Sequence, residues 1–291
     1  MSMVFDPARM DAYEEAISRA VRPGDVVVDI GAGTGVLSFL ACAAGASRVY
    51  AIEGGAVVEV ARELCERNGL ADRVVFINEW STDADLPEPA DVLITETIGN
   101  AAIDEGIIAW TIDARRRMLR PGGVVLPRRV GMWTAAVESW DDHSVVSDWS
   151  APTLPVDYRS VGDRAARIMW FAEFGPDQLL TPPALVAGLD LSAVADETVI
   201  GSGELIVSRE GTLHGLACWF DADLFDGVLL SNAPPSASPS WVQGYLPILE
   251  PAAVTTGDRL TWRIAVSPDG EEWSWGLSLE GAENASDVVS G

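Results

Sequence analysis

Two glutamates nine residues apart, Glu96 and Glu105, bracket the segment Glu96-Thr97-Ile98-Gly99-Asn100-Ala101-Ala102-Ile103-Asp104-Glu105. The first follows a short apolar run, 91–95, and the second opens a stretch with helical spacing. At the carboxyl edge of an open α/β sheet, where ligands of such sheets bind, two carboxylates so placed can converge on one cation. A guanidinium suits them, because it is planar, carries five donors and pairs bidentately with carboxylates. A plainer reading gives Glu105 to a helix N-terminus and Glu96 to solvent. A second chemical set is Val27-Val28-Asp29-Ile30-Gly31-Ala32-Gly33-Thr34-Gly35, an apolar strand feeding a glycine turn. Glycines there let backbone approach a ligand where side chains would collide. Glu53 stands twenty residues past Gly33, and a carboxylate at that position can accept both hydroxyls of a ribose.

The spacing of the turn bears on which nucleotide it would hold. A dinucleotide turn of the form Gly-x-Gly-x-x-Gly needs its third glycine at position 36, which is Val36; the glycine is Gly35. The form Asp-x-Gly-x-Gly-x-Gly, filled by Asp29, Gly31, Gly33 and Gly35, resembles that of S-adenosylmethionine methyltransferases and favours that cofactor over NAD. A tight turn without a ligand is the plain alternative. Asp83 follows the apolar run 74–77 and a few further residues, a place that faces adenine in this fold. An acid there can accept from the adenine amino group, with Thr82 taking the position if the register differs by one. The alternative is a solvated Asp in an acidic loop.

The elements that must position these residues alternate between strand and helix. Helical spacing covers 10–21, and Arg22-Pro23-Gly24-Asp25 ends it. Strands are predicted at 26–30, 48–52, 74–77, 91–95 and 124–126, with helices to about Ala44, over 57–68 and over 105–119. Arg115-Arg116-Arg117 suits the negative end of the last helix dipole better than nucleic acid. This alternation predicts a parallel sheet covered on both faces. After Pro127, Trp, Pro and Gly become dense, and strands are predicted at 199–207, 212–221, 241–249, 259–266 and 272–279. The fold class is therefore α/β, with a Rossmann-like domain over 1–127 and a mostly β domain over 128–291. Residues 281–291 are small and polar and are expected to fray.

Composition narrows the chemistry. A length of 291 residues predicts two domains at about 150 residues each. The chain carries 44 Asp and Glu against 19 Lys and Arg, a net charge of −25, a field that repels nucleic acid and anionic membranes and attracts cations. All 19 basic residues are Arg, so neither a Schiff-base lysine nor a phosphate-loop lysine exists. His143 and His214 are too few for a histidine metal cluster, and no metal is expected. Cys42, Cys65 and Cys218 lack metal or redox spacing, and their odd, sparse count fits a reducing cytoplasm. The first ten residues hold no apolar signal core, and the longest nearly apolar stretch, 36–46, is too short to span a bilayer. The expectation is a soluble cytoplasmic protein without nucleic-acid or membrane partners.

Taken together, these motifs resemble the protein arginine methyltransferase family. Its cofactor motif matches Asp29 to Gly35, and its paired glutamates match Glu96 and Glu105, with Gly99 between them. The family's Asp-x-x-Arg-x-x-x-Tyr helix resembles Asp6 to Tyr13, which implies that Arg9 binds the carboxylate of the methionine moiety. Leu126-Pro127 resembles the junction to the family's β-barrel, and 157–181 resembles its dimerisation arm. The resemblance implies S-adenosylmethionine as cofactor, a guanidino nitrogen of arginine as acceptor, a barrel-like second domain and a homodimer. The apolar run Ile168-Met169-Trp170-Phe171 is the expected dimer contact, or else barrel packing. Three departures stand out. The family's Thr-His-Trp histidine, which pairs with an aspartate matching Asp6, is replaced by Ser240. The aromatic residue expected after the loop glycine is Asn100. The chain also begins past the family's N-terminal Tyr/Phe helix. They favour free arginine or a small guanidine of a natural-product pathway over protein arginine. Methylation of another nucleophile and a non-catalytic cofactor-binding dimer are the remaining readings.

Overall fold

The structure is a computed structural model, and it describes residues 2–150, 156–195, 198–235, 240–267, 269–280 and 288–289. After a short 3-10 turn at Ser2–Phe5, helix α1 (Pro7–Ala20) starts where Asp6 caps it, accepting the Arg9 N–H at 3.2 Å, with Pro7 in the first turn. There follow β1 (Val26–Ile30), α2 (Val36–Ala44), β2 (Arg48–Ile52), α3 (Val58–Arg67), β3 (Val74–Ile77), β4 (Ala90–Thr95), α4 (Ile107–Arg117) and β5 (Leu119–Leu126). The five strands form one parallel sheet in the order β3-β2-β1-β4-β5. Strand order reverses between β1 and β4, and ligands of such sheets bind in the crevice at that point. β1 reads Val-Val-Val-Asp-Ile because a central parallel strand is covered on both faces.

From Arg129 the chain is predominantly antiparallel β. Its elements are β6 (Arg129–Val137), α5 (Trp140–Ser147), α6 (Arg159–Ala165), β7 (Trp170–Ala172), β8 (Ala184–Asp190), β9 (Val199–Ile206), β10 (Gly211–Phe225), β11 (Val228–Ser231), β12 (Gln243–Val254), β13 (Arg259–Val266), β14 (Trp273–Leu279) and β15 (Val288–Val289). One sheet has the order β7-β12-β10-β6-β8, with β11 paired to β10, and the other has the order β15-β14-β13-β9. Leu216 and Leu246 of the first sheet and Leu260 and Ile264 of the second are buried in one hydrophobic cluster, which continues into the parallel-sheet core through Leu93 and Ile94. α1 packs on α2 and also on β10 and β11, so it joins the two halves.

The helix predicted over 105–119 begins later, at Ile107, because Gly106 takes φ +74° and caps it in a left-handed conformation. Glu105 is therefore a loop residue. The strand predicted at 124–126 extends back to Leu119. Two of the three arginines in the last turn of α4 do more than face the helix dipole. Arg115 donates to the carbonyl of Leu191 at 2.7 Å, and Arg117 binds Asp113 and the carbonyl of Ala84. Of the predicted terminal segment 281–291, only Val288 and Val289 lie within the described residues, as β15.

Leu93 sits in β4 between Val28 of β1 and Val125 of β5 and is fully buried. Leu93→Ala should lower the unfolding free energy by about 2–5 kcal/mol, read as a drop in the denaturant midpoint at unchanged slope.

Candidate active site

The carboxyl ends of β1 to β4 open onto a cleft of about 280 Å³, lined by Ile30, Gly31, Ile52, Glu53, Gly54, Glu79, Trp80, Ser81, Thr97, Glu105 and Trp110. Gly31 adopts φ +69°, and a Cβ there would come within 3.3 Å of Thr97 Cγ2. A side chain would thus meet both backbone strain and the cleft wall. Gly33 does not line the cleft; its N–H binds Glu53 Oε2 at 2.9 Å, while the Gly55 N–H binds Oε1 at 2.6 Å. Backbone donors thus fix the Glu53 carboxylate against the cleft wall.

Asp29 lies behind this wall. It is fully buried, accepts from the Ser38 hydroxyl at 2.7 Å in the first turn of α2, and does not line the cleft. Burial lifts its carboxyl to about 6, against the lowering effect of Ser38. Its place is structural, beneath the glycine turn. Thr82 and Asp83, put at the adenine end by the sequence, are exposed and also lie outside the cleft lining. The chain turns earlier than spacing suggested. The N–H groups of Asp83 and Ala84 bond back to the Trp80 carbonyl at 2.9 and 3.0 Å, leaving Glu79, Trp80 and Ser81 as the wall.

The two glutamates differ in environment. Glu96 is 8% exposed, and its Oε2 accepts from Arg9 Nε at 3.1 Å and from Arg9 Nη2. Its Oε1 is buried and, among the described residues, has no hydrogen-bond partner of regular geometry, although the Ile98 N–H lies close enough to lower the carboxyl. Burial raises the Glu96 carboxyl to about 7, partly offset by Arg9, and Glu105 adds to the rise. The Glu96 carboxyl therefore senses Glu105. Glu105 lies on the cleft wall, its carboxyl raised by desolvation and then by Asp104, and its carbonyl accepts from Trp110 Nε1 at 3.0 Å. Arg9, assigned by resemblance to a cofactor carboxylate, here holds Glu96, within about 6 Å of the rings of Tyr13 and Trp241.

Several residues shape this loop, and of these Asp104 and Asn232 were not singled out by the sequence. Asp104 accepts the N–H groups of Asn100 and Ala101 at 3.1 and 2.7 Å and folds the loop between the glutamates. Asn100 Oδ1 accepts the Val242 N–H at 2.9 Å, and Asn232, fully buried, donates to the Asn100 carbonyl at 2.8 Å. Trp241 Nε1 donates to the Ile98 carbonyl at 2.8 Å. The β domain thereby clamps the glutamate loop. Asp6 accepts the Ser240 N–H at 3.2 Å, so a backbone donor occupies the place expected for a histidine. Residues 236–239 of that segment lie outside the described residues. His143 and His214 are both buried, with ring centroids 5.1 Å apart, and neither lines the cleft. Among the described residues, no group of three or more His, Cys, Asp or Glu side chains is placed to hold a metal, and no helix is long and apolar enough to cross a membrane.

The lining suits a nucleoside. Glu53 presents a fixed acceptor pair, Gly31 leaves room for close backbone approach, and Trp80, 65% exposed, offers an aromatic face on the wall.

Comparison with known proteins agrees with this geometry. Residues 128–275 match the arginine methyltransferase oligomerization subdomain, and residues 13–126 match ribosomal protein L11 methyltransferase (PrmA). Protein arginine N-methyltransferase 6 of Xenopus laevis is 31% identical, over 91% of this chain and 82% of its own length. Arginine N(omega)-methyltransferase of Streptomyces achromogenes subsp. streptozoticus is 29% identical, over 91% of this chain and 75% of its own. The fold matches a chain of the Trypanosoma brucei PRMT1 enzyme-prozyme heterotetrameric complex with AdoHcy at a TM-score of 0.88 and 24% identity, covering 98% and 94% of the two chains. It matches Arabidopsis thaliana protein arginine methyltransferase 10, in an open conformation, at 0.82 and 25%, covering 97% and 93%. With Glu105 on the wall of a glycine-turn cleft, and with these relatives aligned over most of its length, the chain belongs to the protein arginine methyltransferase family.

Proposed function

We propose that this protein is an S-adenosylmethionine-dependent N-methyltransferase acting on the guanidino group of arginine, and that its acceptor is free L-arginine or a small guanidine. The observation that carries the reaction class is Glu105 on the cleft wall beside buried Glu96, behind it, whose carboxyl Glu105 raises and one of whose oxygens has no regular hydrogen-bond partner among the described residues. Such a site gains most from a ligand that is cationic and rich in N–H groups; a neutral hydroxyl would gain little from two anions. S-adenosylmethionine supplies an electrophilic methyl group when bound. Glu53 and Gly31 would hold its nucleoside. Arg9 keeps the Glu96 carboxylate oriented, with its remaining Nη1 on the Met3 carbonyl, so a carboxylate tail of the cofactor would have to share this guanidinium. Glu96 and Glu105 would draw the positive charge of the guanidinium toward themselves, leaving the attacking nitrogen a usable lone pair and aligning it with the methyl group. Positioning and preorganised charge supply the rate. The nitrogen must then lose a proton, and Glu105, Glu96 or water accepts it.

Two observations support the small acceptor. Neither histidine reaches the cleft, and Ser240, at the position expected for a histidine, gives Asp6 a backbone N–H. A relative over most of the chain bears the name arginine N(omega)-methyltransferase. Other relatives bear the name protein arginine N-methyltransferase, which makes a peptide acceptor the competing reading. We also infer a homodimer through the arm near 157–181, where Ile168 and Phe171 are 50% and 55% exposed while Trp170 turns inward.

A reaction containing the protein, S-adenosylmethionine, free L-arginine and an arginine-rich peptide should give a mass gain of one methyl group on free arginine. A gain on the peptide alone would overturn the small-acceptor reading. Glu105→Gln should lower kcat at least about 100-fold while leaving cofactor affinity within about threefold by calorimetry; full activity would dissolve the clamp. Because the clamp needs Glu96 charged, kcat/KM should rise with pH and level off above about 7. The same carboxyl has an ordinary value of 4.5 and is raised in the fold, so its contribution to stability should fall as pH rises from 4.5 to about 7. Sedimentation at micromolar concentration should give a dimer, and Phe171→Asp a monomer.

A further inference from the structure

Free arginine differs from an arginine residue in a peptide by two charges, an α-carboxylate and an α-ammonium. A site selecting the free amino acid has to answer both. A second groove, of about 570 Å³, includes Arg167, Thr198, Ser267, Glu271, Glu272 and Trp273 in its lining. It combines one guanidinium with two carboxylates, the mixture that a zwitterion requires.

The groove adjoins the glutamate loop. The turn between β13 and β14 supplies Ser267, Glu271 and Glu272, and its backbone abuts that loop. A Cβ on Gly270 would lie 2.3 Å from the Ile103 carbonyl, and one on Gly106 would lie 3.3 Å from the Asp269 carbonyl. Glu271 is one residue beyond that contact, and consecutive Cα atoms are about 3.8 Å apart. The opposite wall approaches the same loop. Arg167 precedes Met169 by two residues, and a Cβ on Gly244 would lie 3.2 Å from Met169 Sδ and 2.8 Å from Ala101 Cβ. Both charged walls therefore stand a few residues from contacts with 101–106, the segment that carries Glu105, although no residue of that segment lines the groove itself.

The charges are available. Among the described residues, no carboxylate holds the Arg167 guanidinium, whereas Arg9, Arg117 and Arg209 are committed to Glu96, Asp113 and Glu138. Glu271 and Glu272 are exposed, and neither is paired to an arginine. Backbone bonds brace their turn: the Glu271 N–H binds Asp269 Oδ1 at 3.1 Å, and the Glu272 N–H binds Ser267 Oγ at 2.9 Å. We propose that this groove is the amino-acid head site, in which Arg167 binds the α-carboxylate of the acceptor and Glu271 or Glu272 binds its α-ammonium.

The inference rests on the free-arginine reading, and the test separates the two. Methyl transfer would be followed with L-arginine, with agmatine, which lacks the carboxylate, and with Nα-acetyl-L-arginine, which lacks the ammonium, in the wild type and in the Arg167→Ala and Glu271→Gln/Glu272→Gln variants. Cofactor binding by calorimetry serves as the folding control. The wild type should prefer L-arginine over agmatine by about 10- to 100-fold in kcat/KM, the worth of a hydrogen-bonded charge pair. Arg167→Ala should raise KM for L-arginine by a similar factor with kcat little changed, and leave agmatine unaffected. The double glutamine variant should affect L-arginine and spare the acetylated substrate. If Arg167→Ala lowers L-arginine and agmatine equally, or neither, the head site is wrong while the acceptor class stands. Methylation of an arginine-rich peptide and none of the three small molecules would overturn the acceptor class and the head site together.

Discussion

The pair between Arg9 and Glu96 sits where the halves of the molecule meet, and much of the site follows from it. Arg9 comes from α1, Glu96 from the end of β4, and the ring of Trp241, 6.0 Å from the guanidinium, from the β domain. A buried carboxylate is costly unless it is paired. Arg9 satisfies one oxygen of Glu96 and leaves the other without a regular hydrogen-bond partner among the described residues. The result is a partly compensated anion whose carboxyl is held near neutrality by burial, ready for a ligand that brings its own N–H groups. Asp6 fixes the start of α1 and at the same time accepts from Ser240, so the helix bearing Arg9 is tied at its first turn to the β domain.

Around that pair, the glutamate loop is held by short polar groups rather than by packing alone. Asp104 gathers two N–H groups within the loop, and Asn100 and Asn232 bond it to the chain before β12. Buried amides and carboxylates of this kind specify one arrangement, because any slip leaves a polar group unsatisfied. This is why Glu105, a loop residue, can still be held in a fixed place facing the cleft.

The absence of lysine gives the arginines wide structural duty. Arg73 and Arg115 donate to backbone carbonyls, and Arg117 does so while also holding Asp113. A planar fork with five donors can satisfy several carbonyls at once.

The sequence by itself determined the parallel sheet and the glycine turn, because each depends on local rules: apolar runs and turn glycines along one strand-turn-helix unit; Glu53 and the two glutamates it offered as candidates only. The longer strands β9, β10, β12, β13 and β14 were also legible from their apolar content. The short or Gly-interrupted strands β6, β7, β8 and β11 were not, since they are defined by partners distant in the chain. Tertiary structure alone decided that Asp29 braces α2 instead of facing the cleft, and that Trp80 and Ser81 replace Thr82 and Asp83 on its wall. A single backbone turn at Trp80 shifts that register, and no periodicity announces it. The partnership of Arg9 with Glu96, across 87 residues, and that of Asn100 with Asn232, across 132, are likewise products of the fold. Spacing reports neighbours along one element; burial and hydrogen bonding between elements are set only when the sheets close on one another.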